Sequence, residues 1–228
     1  MAEPERIADY VTAQMSGMKK DLKGKRVLVT AGPTIEDIDP VRFISNRSSG
    51  KMGYAVAEAA LARGADVTLI SGPVSISCPE GVKIINVRST QDMLDACLKV
   101  YEDIDVVIKA AAPADFCMGN KSEHKIKKKD DEDNLKLVLK KTPDILASLG
   151  AIKEERLLVG FAAETREPEK YAREKMRRKN LDIIVANNVA ASGAGFNCDT
   201  NIITIIKAKD EAIKKSTQIG RASCRERV

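Results

Sequence analysis

Two rhythms alternate along this chain. Short apolar runs end in Gly or Pro, and between them lie stretches with an apolar residue every three or four positions. "KRVLVTAGPT", from Lys25, reads as a buried strand closed by a Gly-Pro turn. "GYAVAEAALARGA" reads as a helix ended by Gly64, and "DVTLISGP" as a second strand. "VKIINVRS", the helix "TQDMLDACLKVYED" and the strand "DVVIKAAAPAD" follow. Then come the strand "LLVGFAAET", the helix "PEKYAREKMRRKNL", the strand "DIIVANNV" and finally "NIITIIKA". Strands alternating with helices of this length predict an α/β fold: a Rossmann-like, doubly wound, mainly parallel sheet in three αβα layers. The last strand is expected antiparallel, at an edge or end of the sheet.

Three segments break the rhythm. Residues 1–20 read as a helical linker with few strong apolar positions. Residues 117–134, "CMGNKSEHKIKKKDDEDN", are almost devoid of apolar residues and predict a mobile loop or lid. The end, "RASCRERV", is basic and follows no element, so residues 211–228 are set apart as a tail of non-native character. The domain proper is then 21–210.

Composition narrows the class. With 228 residues there is room for one α/β domain with a sizeable core. No apolar run approaches the roughly 18 residues of a membrane span, and no signal sequence opens the chain, so a soluble cytoplasmic protein without membrane partners is expected. Cys78, Cys97, Cys117, Cys198 and Cys224 lie far apart with no C-x-x-C pair, which favours free thiols over disulfides or zinc. The net charge of +5 is concentrated at Lys121 to Lys129 and Arg173 to Lys179. Aromatic content of only 4%, not interleaved with these clusters, argues against nucleic acid and for a small polyanion such as a nucleotide. A merely solvated lysine face is the bland alternative for either cluster.

In an open parallel sheet, ligands sit beyond the carboxyl ends of the strands. Residues just after the strands are Ala31 to Thr34, Ala110 to Asp115, Gly160 to Thr165, and Ala186, Asn187 and Asn188. All are small or polar, as close approach of backbone to a ligand requires. "SSGKMG" opens the first helix and offers its N–H groups to an anion. It is not a Walker A loop, which needs a glycine where Ser45 stands and Ser or Thr where Met52 stands. Nor is it G-x-G-x-x-G; tight helix–strand packing at Gly50 and Gly53 is the competing explanation. Lys175 and Lys179 are spaced i, i+4 and project side by side, which suits neighbouring phosphates or simply a surface face. Asp115 could hold a ribose or base amino group, or cap a turn. His124 is the single histidine, and no Ser-His-Asp set or zinc cluster can be assembled.

The blocks "KRVLVTAGPTIEDIDPVRFISNRSSGKMGYAVAEAALARGADVTLISGP", "AAAPADF", "HKIKKK", "KTPDIL", "VGFAAET", "YAREKMRRKNLDIIVANN" and "GFNCDTN" together resemble phosphopantothenoylcysteine synthetase. The resemblance covers roughly residues 22 to 208. It implies CTP-dependent ligation of 4′-phosphopantothenate with L-cysteine through an acyl-cytidylate, in coenzyme A biosynthesis, with Mg²⁺ accompanying CTP. It also implies a homodimer, with a site completed across the interface. "MAEPERI" is similar to the end of a flavin-dependent decarboxylase half, which implies a fusion in a longer protein.

Carried residue by residue, the resemblance gives Asn46 the acyl-cytidylate carbonyl and Arg42 the second half-reaction. Lys125, with Lys127 and Lys128 as neighbouring registers, serves the first. CTP would meet the backbone of Lys109, Ala110 and Ala111, then Asp115, the segment Pro143, Asp144, Ile145 and Leu146, and Phe161, Lys175 and Lys179. Phosphopantothenate would meet Asn46, Ser48, Ser49, Gly50 and Ala112. Metal ligands are not assigned. A nicotinamide-dependent reductase is the alternative enzyme class, and the absence of its glycine fingerprint and of a catalytic Tyr-x-x-x-Lys argues against it. A nucleotide-binding module without turnover is the third reading.

Overall fold

The computed structural model describes residues 19–127, 134–164, 168–188, 200–208 and 213–218. Its centre is an eight-stranded sheet. Six strands run parallel: β1 (Arg26–Ala31), β4 (Asp66–Ser71), β5 (Lys83–Asn86), β6 (Val106–Lys109), β9 (Leu157–Glu164) and β10 (Ile183–Asn188). Two more, β11 (Thr200–Lys207) and β12 (Ile213–Gln218), close one side antiparallel. The order across the sheet is β12-β11-β10-β9-β6-β1-β4-β5. From β1 the chain first steps outward to β4 and β5, then returns to β6 on the other side of β1. The order therefore reverses between β1 and β6, the place where α/β sheets open a crevice.

Strand side chains alternate between two helical layers. On one face, Val27, Val29, Val67 and Leu69 pack with Tyr54, Ala57 and Ala60 of α1 (Lys51–Ala62). On the other, Leu28, Ile70, Val107, Leu158 and Ile184 meet three helices. These are α2 (Thr90–Val100), α3 (Ile145–Ala151) and α4 (Pro168–Arg178), which contribute Met93, Leu149 and Met176 among others. Burying each such Leu, Ile or Met favours folding by roughly 1.5–3 kcal/mol. Local signals agree with the layers. Ser89 and Asp92 form a reciprocal capping box at α2, and Asp144 caps α3 by accepting from the Ala147 N–H.

The expected doubly wound, three-layer fold is present. β11 is antiparallel as expected but is not the edge, because β12 pairs along its outer side and carries the sheet past residue 210. Two small antiparallel pairs were not foreseen. One joins β2 (Ile35–Asp37) to β3 (Phe43–Ser45); the other joins β7 (Phe116–Met118) to β8 (Leu139–Lys141).

The strand predicted over "DVVIKAAAPAD" stops at Lys109. Beyond it the N–H groups of Ala111 and Ala114 turn to the Thr30 and Thr34 hydroxyls, and Pro113 has no N–H to offer. The expected lid is also partly structured: it starts in β7, and its next residues are bonded to the β2–β3 pair. Residues 128–133, the N-terminal 1–18 and the segment RASCRERV lie outside the described residues. No helix among the described residues is long and apolar enough to cross a membrane.

Candidate functional site

The C-terminal ends of β6, β9 and β10 and the start of α1 enclose a cavity of about 750 Å³. That volume lies within the usual range for small-molecule sites, roughly 300–1,000 Å³. Its floor is the loop after β6. Lys109, Ala110, Ala111, Ala112 and Asp115 all line it, as the positions after a parallel strand should.

A buried polar knot holds this loop in shape. The Thr34 and Thr90 hydroxyls meet at 2.8 Å, and Thr90 donates both its N–H and its hydroxyl to Glu36 Oε1 at 2.7 and 2.8 Å. Ala114 is pinned from two directions: its N–H donates to the Thr34 hydroxyl, and its carbonyl accepts from the Thr142 hydroxyl at 2.6 Å. Thr34, Thr90 and Glu36 are buried, so an unmatched partner would cost about 1–3 kcal/mol.

One wall is the segment Asn46, Ser48, Ser49 and Gly50 leading into α1. Asn46 Nδ2 donates to the carbonyls of Ala112 at 3.3 Å and Pro113 at 2.9 Å, bridging this wall to the floor. Gly50 is the N-cap of α1 with φ +79°, and no side chain caps the helix. A side chain at Gly50 would be strained in that left-handed conformation. Gly53 serves packing: a Cβ there would stand 2.5 Å from the Ala31 Cβ. The packing reading of the glycines holds at Gly53. Close helix–strand contact at Gly53 brings an uncapped helix N-terminus to the cavity, where it favours negative charge.

The opposite wall is basic. Lys175 on α4 and Lys179, the residue just past its C-terminus, lie one turn apart, joined by the bond from the Lys179 N–H to the Lys175 carbonyl at 3.0 Å, and both line the cavity. Lys175 donates to the Phe161 carbonyl at 2.9 Å, and Lys179 pairs with Asp144 at 2.8 Å. Pro143, Asp144, Ile145 and Leu146 line the same side, as does Phe161. Burial pushes the Asp144 carboxyl up, but the Lys179 ammonium and the Ala147 N–H together hold it below the ordinary range. Burial and the charges of Lys175 and Lys179 pull the Lys109 amine down to about 7.

Arg42 and Lys125 stand apart from this constellation, since neither lines the cavity. Arg42 is engaged instead by Asp39, through Nε at 3.1 Å and Nη2 at 2.6 Å, and it donates to the Ile126 carbonyl at 3.0 Å. Lys125 is the neighbour of that anchored peptide. The resemblance put both at the reacting groups; within one chain they sit at the root of the lid.

Asn187, named among the strand-end residues but given no role, has its Oδ1 buried on the cavity wall without a hydrogen-bond partner among the described residues. It lies at the C-terminal end of β10, which is the signal that named it. Lys141 was missed, because β8 gives little pattern to read. The Tyr-x-x-x-Lys spacing expected to be absent does occur, as Tyr171 and Lys175. Tyr171 is exposed and does not line the cavity, so the two do not converge there.

No group of three or more His, Cys, Asp or Glu that could hold a metal occurs among the described residues. Asp115 and Asp144 are the cavity's carboxylates. This donor set suits a divalent ion arriving with a polyphosphate and water rather than an all-protein cage.

Comparison with known proteins agrees with the architecture. The model of the DNA/pantothenate metabolism flavoprotein C-terminal domain matches residues 22–224. The coenzyme A biosynthesis bifunctional protein CoaBC of Bacillus subtilis (strain 168) is 54% identical over 207 residues, covering 90% of this chain and 50% of its own. CoaBC of Vibrio vulnificus (strain CMCP6) is 50% identical over 193 residues, covering 84% of this chain and 48% of its own. The chain thus spans about half the length of the curated relatives it matches. The crystal structure of the C-terminal domain of CoaBC superposes with a TM-score of 0.75 at 44% identity, covering 90% of this chain and 92% of that one. The chain belongs to the family of the DNA/pantothenate metabolism flavoprotein C-terminal domain.

Proposed function

We propose that this chain is the ligase part of a coenzyme A biosynthesis enzyme, joining 4′-phosphopantothenate to L-cysteine at the expense of CTP. The observation that carries the reading is the pairing of walls in one cavity: an uncapped helix N-terminus and Asn46 face Lys175 and Lys179 across a floor of small residues. Relatives about 50% identical carry the name of a bifunctional coenzyme A biosynthesis protein, which supports the pathway.

Two anions must meet for the first step, because the carboxylate of phosphopantothenate attacks the α-phosphate of CTP. Lys175 and Lys179 lower that repulsion by facing the triphosphate, while the flat backbone of Ala110 and Ala111 leaves room for the nucleotide. Magnesium would arrive with CTP and supply further charge neutralisation there. The Gly50 end of α1 receives the phosphate of phosphopantothenate. Pyrophosphate leaves and the acyl-cytidylate remains, its carbonyl facing the Asn46 amide. The cysteine amine then attacks that carbonyl, the amide forms and CMP departs. Lys125 reaches the nucleotidyl group from the lid, and Arg42 acts in the second step, with a second copy of the chain completing the site. A flavin-dependent decarboxylase half accompanies this domain in the full-length cytoplasmic protein.

Pyrophosphate release tests the reading. It should require CTP and phosphopantothenate together, with amide formed only when cysteine is added. Pyrophosphate from CTP alone, or none with both, would remove the ligase; the first outcome would leave a hydrolase and the second a binding module.

A further inference from the structure

Lysines 109, 175 and 179 converge on the cavity, but they are held differently. Lys179 is paired with Asp144, and Lys175 donates to the Phe161 carbonyl. Lys109 closes β6 and donates to the carbonyl of Ala111, two residues along its own backbone, at 2.9 Å. No ion pair to Lys109 is formed among the described residues.

An amine in this position is unusual on physical grounds. Strand alternation gives Lys109 the same face as Val107, which belongs to the core formed with Cys97 and Leu146. Its neighbours Thr30 on β1 and Gly160 on β9 bring no charge. From α4 and the residue just past its end, Lys175 and Lys179 repel an ammonium there; from the N-cap of α3, Asp144 attracts it but is already engaged by Lys179. From α2, Cys97 faces it as a thiol pushed up to about 12 by burial, hence neutral. The site thus holds more positive than negative charge, and Lys109 lines the cavity while its amine donates to the Ala111 carbonyl. An incoming polyanion supplies what is missing.

We propose that Lys109 is a side-chain receptor for ligand phosphate, leaving the Ala111 carbonyl on binding to pair with a triphosphate oxygen as an ammonium. The inference rests on the ligase reading and adds a group that reading does not use, since there only the backbone at 109 to 111 meets the nucleotide. With burial and two ammonium neighbours, the ligand-free amine gives up its proton near neutrality; facing phosphate, it keeps it. Binding above pH 7 therefore takes up one proton, and affinity weakens as pH rises.

The test is calorimetric titration of magnesium–CTP into the full chain at pH 7, 8 and 9, in two buffers of different ionisation heat. Wild type should take up close to one proton per nucleotide at pH 8. Lys109→Met should abolish that uptake and weaken binding by about tenfold at pH 7, the worth of one charge-assisted bond. Lys109→Arg, permanently charged, should bind without proton uptake and with affinity flat from pH 7 to 9. Equal uptake in wild type and either variant, or wild-type affinity in Lys109→Met, overturns the proposal while leaving the ligase reading intact. No CTP binding to wild type overturns both. Circular dichroism checks folding; should Lys109→Met not fold, Lys109→Arg decides alone.

Discussion

The Arg42 guanidinium and the Asp39 carboxylate meet at 2.6 Å, and together they grip the peptide of Ile126. Asp39 accepts from the N–H groups of Val41, Arg42 and Ile126, and its side chain is fully enclosed. The Arg42 bonds and these backbone donors hold its carboxyl far below the ordinary range, so it stays ionised at any working pH. One carboxylate thereby ties the start of the basic lid to the β2–β3 pair. Lys121, paired with Asp37, adds a second tie.

Asp39→Asn should release this tether. Tryptic cleavage after Lys121, Lys125 or Lys127 is expected to quicken by about tenfold, because local opening of the segment becomes easier while the sheet stays folded. An unchanged cleavage rate would mean that the lid is anchored elsewhere.

Asn46 is the bridge between the phosphopantothenate wall and the floor. Asn46→Asp would aim a carboxylate at the Ala112 and Pro113 carbonyls that now accept its N–H groups. Amide formation should fall by about a hundredfold, as when a donor to the reacting carbonyl is lost. The acyl-cytidylate should then become visible by mass spectrometry. Normal amide formation with no intermediate would take Asn46 out of the second step.

Gly53→Ala tests the close packing that brings α1 to the cavity. The new Cβ would stand 2.5 Å from the Ala31 Cβ and 3.0 Å from its Cα, so backbone must move. Overpacking of this kind costs about 1–3 kcal/mol. Each kcal/mol should lower the melting temperature by roughly 2–4 °C in a chain of this size. A variant as stable as wild type would show that the helix can slide without penalty.

Lys109 on the cavity and Cys97 in the core give opposite pH signatures. The folded chain releases the Lys109 proton near 7, whereas an ordinary lysine holds it to about 10.4. Between those values the unfolded chain binds more protons, so stability rises with pH. Cys97 keeps its proton up to about 12 when folded, against about 8.5 for a free thiol, so its contribution is present below about 8.5 and lost as pH rises toward 12. From pH 7 to 8.5 Lys109 acts without opposition from Cys97. The melting temperature of ligand-free protein should climb over that window, and Lys109→Met should flatten the climb. An equal climb in the variant would assign it to another group.

Much of this was readable in advance, for identifiable reasons. β1, β4 and β10 are apolar runs long enough to stand out, and α2 carries its capping box in plain letters from Ser89 to Asp92. The end of β6 named the floor, the i, i+4 spacing pointed to Lys175 and Lys179, and the resemblance supplied Asn46 and the segment Pro143 to Leu146. Elements with little pattern were missed. β2, β3, β7 and β8 are three residues each, and β12, "IKKSTQ", is mostly polar because it only has to cover an edge. Seven-residue α3 is announced by nothing but Pro143 and its cap, Asp144. Charge alone could not show that Arg42 would turn to Asp39, because that depends on a hairpin the sequence hardly marks.

Oxygen tracing puts the proposed chemistry to its most direct trial. Phosphopantothenate labelled with ¹⁸O in its carboxylate, turned over with CTP and cysteine, should deliver one labelled oxygen to the released CMP, since the acid attacks phosphorus and the amine later expels that oxygen. CMP free of label, alongside normal amide product, would contradict an acyl-cytidylate and with it the role given to this cavity.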